Sequence, residues 1–303
     1  MTTFRNLDGS GPQPPGVVFR WAVLDKLRGR RRKSPATAEV PFLKTSPASV
    51  AVAPAVGEPA RLTWLGHASW LVQLDGLSIL IDPIFGERIS YVIKRNAPVP
   101  LSVAELPRID ATLVTHGHYD HYDKPSVLAA GARVILGKGL ATDLKLPRAE
   151  LGWWDAERLS DTVRVSFVPS QHWSRRGLFD VNRALWGGFV IEGSKSRVYH
   201  AGDTAYFDGF TEIGSRFGPI DAALLPIGAY DPGWFMEKQH MNPEQAAQAF
   251  IDLKARDFFA MHWGTFKLTD EPLLEPPERL RAEWTRRALP PEKLHILAVG
   301  ETF

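Results

Sequence analysis

Cysteine is absent from all 303 residues, which excludes disulfides and thiolate metal sites and leaves histidine and carboxylates as the strong metal ligands available. No run of about 18 apolar residues occurs, so no membrane-spanning helix is expected. The opening Met1-Thr2-Thr3-Phe4-Arg5 lacks the apolar segment of a signal peptide, and Arg30-Arg31-Arg32 is not followed by one, so the expected location is cytoplasmic. Internal repeats of fixed period are missing too.

Net charge is small, +2, but unevenly placed. Residues 1–50 carry 9 Lys/Arg against 3 Asp/Glu, which is +6, and the remainder is therefore −4. The basic excess peaks at residues 28–33. The net-acidic remainder has no interleaved basic and aromatic stripe, so nucleic acid is not an expected partner. Residues 1–59 are rich in Pro, Ala, Ser and Arg and read as a basic arm, with residues 46–59 as its linker. Within it, residues 17–27 hold Phe19, Trp21, Leu24 and Leu27 and suit a short helix. Two roles fit that helix: packing on the main domain, or a basic, aromatic anchor on the inner face of a membrane.

From residue 60 to 303 the texture changes to one catalytic-sized domain. Apolar residues make up 44% of the chain, enough for a large core. Strand-like runs lie at residues 62–65, 70–74, 77–81, 111–115, 163–168, 184–191, 197–200, 222–226, 258–261 and 294–299. Helices are expected at 124–130, 205–216 and 243–253; in the last, Asn242 can cap, Pro243 suits the first turn and Gln245 can complete a capping box. Strands outnumber helices and cluster, which predicts an α/β fold of sheets packed face to face with helices outside.

The sharpest signal is Thr115-His116-Gly117-His118-Tyr119-Asp120-His121, directly after a strand-like run. In extended backbone, positions 116, 118 and 120 share one side, and a turn must then bring in His121. Imidazole and carboxylate are what zinc takes when cysteine is absent. His172, Asp203 and His262 each follow a strand as well, in Pro169-Ser-Gln-His-Trp173, Ala201-Gly-Asp-Thr204 and Met261-His-Trp-Gly264, and Gly202 could let the backbone crowd a metal. Singly, each reads as a hydrogen-bonding strand-end residue or a cap; together they assemble donors at the ends of several strands. His200 and His295 lie inside strand-like runs and read as structural.

This ligand order resembles that of the metallo-β-lactamase-fold hydrolases. Further stretches resemble the N-acyl-phosphatidylethanolamine-hydrolysing phospholipase D-like family. They include Leu65-Gly-His-Ala-Ser69, Asp82-Pro-Ile-Phe85, Leu185-Trp-Gly187, Pro226-Ile-Gly-Ala-Tyr230, Trp234-Phe-Met236, Gln239-His240, His262-Trp-Gly-Thr-Phe266 and Glu275-Pro-Pro277. The resemblance runs in order over residues 60–303 and does not extend to the arm. It implies a metallo-β-lactamase αββα sandwich of two mixed sheets. It assigns His116, His118 and His172 to one zinc and Asp120, His121 and His262 to the other, with Asp203 bridging. Two zinc ions per chain are thus expected, although the donors leave iron and manganese open.

The implied activity is a phospholipase D-type phosphodiesterase. A metal-bridging hydroxide would release phosphatidic acid and N-acylethanolamine from N-acylated phospholipid. Asp120 would orient that water, and His240 would protonate the leaving group or bind phosphate, unless it is a structural loop residue. His67 and Asp82 would orient ligands or pack strand ends. Tyr230, Trp234, Phe235 and Met236, with Trp173, Trp186 and Trp263, would line the acyl-chain side, although ordinary packing explains any one of them. Because the metal pair does not choose between phosphorus and carbon, lactone or thioester hydrolysis is the alternative. A non-catalytic, membrane-associated metal-binding protein is the third reading, and oligomeric state stays open.

Overall fold

The computed structural model describes residues 3–90, 92–140, 144–177 and 179–303. The short apolar runs pair into two mixed sheets. The first has six strands in sequential order: β1 Arg61–Gly66, β2 Ser69–Leu74, β3 Leu77–Ile81, β4 Ala111–Val114, β5 Arg133–Gly137 and β6 Arg148–Leu151. Strands β1 to β3 are antiparallel, and β3 to β6 are parallel. The second has seven: β7 Ala156–Arg158, β8 Arg164–Val168, β9 Gly188–Glu192, β10 Arg197–His200, β11 Ala222–Pro226, β12 Asp257–Met261 and β13 Leu294–His295, again in sequential order across the sheet. Here β7 to β10 are antiparallel and β10 to β13 parallel.

One hydrophobic core joins the inner faces, with Trp64, Trp70, Phe167, Phe189, Phe258 and Phe259 among its largest fully buried side chains. All six residues of β2 are buried, as expected of a strand covered on both faces. Helices α1 (Pro15–Phe19) and α2 (Pro47–Val50) belong to the arm; α3 (Lys124–Ala130), α4 (Gly209–Phe217), α5 (Gly233–Met236), α6 (Pro243–Leu253) and α7 (Glu275–Arg286) follow. The capping box of α6 forms as the sequence predicts. Gln245 N–H donates to Asn242 Oδ1 at 2.8 Å, and Asn242 N–H to Gln245 Oε1 at 3.1 Å, an arrangement that contributes about 1 kcal/mol.

Several boundaries differ from the sequence reading. The run 294–299 is strand only at Leu294–His295, because the chain then turns to meet the arm, where Val299 bridges Phe42. The run 184–191 becomes strand only from Gly188, since Leu185 and Gly187 donate instead to Lys138 and Thr115 across to the first sheet. The helix expected at 205–216 starts at Gly209. Helix α7 has no counterpart among the helices the sequence predicts: its apolar stripe is sparse, and ion pairs such as Glu283 with Arg286 and Arg287 support it.

In each sheet the strands that matter for the site run the same way. His67 follows β1, Asp82 follows β3, His116 follows β4, His172 follows β8, Asp203 follows β10 and His262 follows β12. Every one lies beyond a carboxyl end, the edge of a sheet where loops are free to carry function.

Candidate metal centre

Beyond β4 the chain leaves extended conformation at His116 and turns at once: His121 and Tyr122 N–H both donate to the His118 carbonyl, at 3.1 and 2.9 Å. That is the turn the spacing requires. It puts His116 and His121 in the interior and leaves Tyr119 outside, where its ring and that of Tyr122 enclose the Arg176 guanidinium, at 4.6 and 4.5 Å. His116 Nε2 lies 2.9 Å from His118 Nδ1, and His172 Nε2, arriving from the second sheet, lies 3.2 Å from the same atom. Three imidazole nitrogens therefore converge on one point. A second group forms from Asp120, His121 and His262, with His67 beside it. Asp203 sits between the groups: its Oδ2 is 3.2 Å from His121 Nε2, 3.9 Å from His172 Nε2 and 4.0 Å from His116 Nε2, and its Oδ1 is 3.0 Å from His262 Nε2.

The outer faces of these rings decide which nitrogens are bare. His172 Nδ1 donates to the Gln239 carbonyl at 2.8 Å, so Nε2 carries a lone pair. His121 Nδ1 donates to Asp82 Oδ2 at 2.7 Å. Thr115 Oγ1 gives its proton to Asp82 Oδ2 at 2.6 Å and accepts from His116 Nδ1 at 3.0 Å, freeing His116 Nε2. Lone pairs aimed at each other across such gaps repel unless a cation lies among them. His121 Nε2, Asp203 Oδ1 and His262 Nε2 are buried without hydrogen-bond partners, which fits the same need. The donor set is nitrogen and oxygen throughout, suited to zinc and to other first-row divalent ions. The residues fit a two-metal centre.

Electrostatics point the same way. Burial holds the His116 and His172 imidazoles well below their ordinary range, and takes His118 and His240 down to about 4, so these rings stay neutral and able to ligate. Burial would raise Asp120 and Asp203, but the adjacent His121 and His262 hold both carboxylates well below theirs. Burial alone would lower His262; Asp203 and Asp120 instead lift it to about 9.

The backbone is strained at this edge. His67, Asp82, Ala229 and His262 all have positive φ, at 54°, 42°, 65° and 65°, a conformation costly for residues with a Cβ and typical of over-determined functional sites. Beside them Gly228 is required by contact, since a Cβ there would lie 2.1 Å from the His262 carbonyl oxygen. Gly202 has φ of 62°, but what crowds it is the Gly187 carbonyl and Thr115, so its role is backbone packing.

The remaining expected residues fall in several places. His67 Nε2 lies 3.0 Å from Asp120 Oδ2, close enough to orient that carboxylate. Asp82 is fully buried and braces Thr115 and His121. His240 Nδ1 reaches to 3.9 Å from Asp203 Oδ2, within the cluster. Trp173 packs edge-on to His118, whereas Trp263 stacks on Trp64 in the core and Trp186 is fully buried. Tyr230 donates its hydroxyl to Glu275 Oε1 at 2.7 Å, Phe235 and Met236 are buried, and Trp234 is 40% exposed. His200 is engaged by the Ala68 carbonyl and by Gly202 N–H, its two ring nitrogens both used outside the donor groups, and His295 by Asp257. Sequence reasoning missed three contributors: Thr115 and Gln239, whose oxygens fix histidine tautomers, and Asn6, from the arm, on His172.

A β-lactamase superfamily domain matches residues 78–263. The N-acyl-phosphatidylethanolamine-hydrolyzing phospholipase D 1 of Caenorhabditis elegans is 36% identical over 242 residues, 72% of this chain and 68% of the worm protein. The mitochondrial enzyme of the same name from Saccharomyces cerevisiae is also 36% identical, over 75% of this chain but only 52% of its own length. A metal-dependent hydrolase of Caldivirga maquilingensis is 30% identical over 80% of this chain and 96% of its own. Among solved structures, a metallo-hydrolase of Ignicoccus hospitalis superposes with a TM-score of 0.63 at 23% identity, covering 80% of this chain and 97% of that one, which shows the shared fold. Converging donors, sandwich topology and sequence kinship agree: the chain is a metal-dependent hydrolase of the metallo-β-lactamase fold and belongs to the N-acyl-phosphatidylethanolamine-hydrolysing phospholipase D-like family.

Proposed function

We propose that the chain is a zinc-dependent phosphodiesterase of phospholipase D type, cleaving N-acyl-phosphatidylethanolamine-like lipids to phosphatidic acid and N-acylethanolamine. The observation that carries the metal half of this reading is the pair of donor groups, His116/His118/His172 and Asp120/His121/His262, spanned by Asp203. The names of the worm and yeast relatives support the substrate half. Two bound zinc ions would supply Lewis acidity, acidifying solvent held there and neutralising charge that develops on phosphoryl oxygens.

The protein's own groups do the rest. Asp120, oriented by His67, presents an acceptor for a solvent proton. His240, with Nδ1 unpartnered and at the cluster's edge, is placed to donate to a phosphoryl or leaving oxygen. The lipid would be met at a membrane surface. The π-helical segment Arg20–Asp25 continues α1, and the stretch exposes Val18, Phe19, Val23 and Leu27 beside Arg20, Lys26 and Arg28, with Arg20 lying over exposed Trp234 at 4.4 Å. Among the described residues no helix is long and apolar enough to cross a membrane. Binding to anionic vesicles should fall on Phe19→Ala/Leu27→Ala double substitution and fall at high salt; binding that ignores both would remove the lipid-surface role.

The deciding experiment follows oxygen. Attack at phosphorus forms a new P–O bond to solvent and breaks the P–O bond to the N-acylethanolamine, which leaves with a solvent proton. In ¹⁸O-water the label should appear in phosphatidic acid and be missing from the N-acylethanolamine. Label in a free fatty acid, or turnover of lactones or thioesters far above any phosphodiester, would overturn the substrate assignment.

A further inference from the structure

We propose that Asn6 is a positioning residue for the metal ligand His172, so that the N-terminal segment is a working part of the metal centre; this rests on the metal half of the reading above. The arm lies outside residues 78–263, the part matched as the superfamily domain. Its first described residues nevertheless insert beside the site. Asn6 is only 5% exposed. Its Oδ1 accepts from His172 N–H at 3.1 Å and from Trp186 Nε1 at 3.0 Å, while its Nδ2 donates to Ser10 Oγ at 3.2 Å.

A tight turn holds the amide there. Asn6 N–H donates to the Ser10 carbonyl at 3.2 Å, and Gly9 N–H to the Asn6 carbonyl at 2.9 Å. The turn is fastened to the ligand loop at two more points. Gln171 Nε2 donates to Asp8 Oδ2 at 2.7 Å and to Ser10 Oγ at 3.0 Å, and Phe4 N–H donates to the Asn182 carbonyl at 2.8 Å. Asn182 in turn accepts from Ser174 N–H at 3.1 Å.

His172 needs this support for a local reason. It lies in irregular chain beyond β8, where the peptide joining it to Gln171 is held on its carbonyl side by a single bridge, Ala205 N–H donating to the Gln171 carbonyl at 2.8 Å. Its own two N–H groups have one partner each: Gln239 holds the ring from outside, and Asn6 holds the backbone. Losing the Asn6 oxygen leaves a buried N–H unsatisfied and lets the loop relax, which carries Nε2 away from His118 and Asp203. Partners that fix a ligand in this way typically matter by about 10–100-fold in metal affinity.

The test is zinc alone, titrated into the full metal-free chain against a competing chelator, with thermal unfolding alongside. Asn6→Ala should weaken one of two zinc sites by about 10–100-fold and spare the other. Asn6→Asp keeps an acceptor oxygen for the His172 and Trp186 N–H groups and should retain that site. Phe4→Ala removes arm packing without touching His172, and should lower the unfolding temperature while leaving both zinc affinities in place. Should the alanine variant not fold, Asn6→Gln displaces the oxygen by a methylene and should show the same selective loss. Unchanged zinc affinity in Asn6→Ala or Asn6→Gln, or equal loss in Asn6→Asp and Phe4→Ala, would reduce Asn6 to a packing residue. An unaltered chain that binds no zinc would overturn this inference and the metal reading together. A chain that binds two zinc ions yet spares every phosphodiester would sink the substrate assignment alone.

Discussion

The two sheets supply the site in different ways. The first delivers His116, His118, Asp120 and His121 from a single loop, braced by Asp82 at the end of the neighbouring strand. The second delivers His172, Asp203 and His262 one at a time, from three strand ends. Each is supported by a remote segment. Asn6 and Gln239 hold His172, the His67 carbonyl accepts from His262 N–H at 3.0 Å, and the loop beyond Asp203 is tied by Gln171 N–H to Thr204 Oγ1 at 2.9 Å. A concentrated motif is therefore locally encoded, whereas dispersed ligands depend on the whole fold being in place. If so, damage to the first sheet's loop should stay local, and damage to Asp203, which the second sheet places between the groups, should be felt by both.

Asp203 is the sharpest place to break that contrast. It faces both groups: Oδ1 lies 3.0 Å from His262 Nε2 and Oδ2 3.2 Å from His121 Nε2 in one, while Oδ2 lies 3.9 Å from His172 Nε2 and 4.0 Å from His116 Nε2 in the other. Asp203→Asn keeps shape but removes the negative charge that Asp203 offers to two cations. Turnover should fall by more than the roughly 100-fold that loss of a supporting partner costs, and metal content should fall below two ions per chain, with the circular dichroism spectrum retained. Near-normal turnover with two ions still bound would show that Asp203 does not span them.

The same contrast explains what could be read in the sequence. The loop 116–121 and the helices at Lys124–Ala130 and Pro243–Leu253 were legible because each is specified by neighbours: a cap, a proline, a spacing. His172, Asp203 and His262 were legible as strand-end residues, and resemblance grouped them. Strands Arg133–Gly137, Arg148–Leu151 and Ala156–Arg158 escaped notice. The last two are short and largely half-exposed, and little in their composition separates them from loop. Asn6 could not be found at all, since its role lies in one amide oxygen reaching a residue far along the chain. The positive φ of His67, Asp82 and His262 was equally hidden, because tertiary contacts impose it on residues that do not favour it.

Asp82 tests the local half of the contrast. Its Oδ2 accepts from both Thr115 Oγ1 and His121 Nδ1. In Asp82→Asn an amide NH2 would face at least one of these donors. His121 loses its anionic partner and its fixed tautomer, so metal affinity or turnover should drop about 10–100-fold. The larger loss should fall on the Asp120/His121/His262 group, whose His121 bonds Asp82 directly, and the smaller on the His116/His118/His172 group, which Asp82 reaches only through Thr115. Equal weakening of both would mean the first sheet's loop is no more self-contained than the second sheet's ligands.

The smallest expected effect lies on the second sheet's rim, at Tyr230, which the sequence places among substrate contacts. Its hydroxyl already has a partner, Glu275 Oε1 at 2.7 Å, and its ring lies under the Arg279 guanidinium at 4.5 Å. Burial and the Glu275 bond hold the phenol well above its ordinary range, so it stays a neutral donor at any working pH. Tyr230→Phe keeps the ring and its cation contact and removes the hydrogen bond alone. Glu275 keeps its ion pair with Arg32, so the carboxylate is not stranded. Stability should therefore fall by about 1 kcal/mol, visible as a modest drop in unfolding temperature, with KM for phospholipid unchanged. A raised KM at unaltered unfolding temperature would give the opposite answer: the hydroxyl leaves Glu275 when lipid binds, and this rim serves the substrate directly.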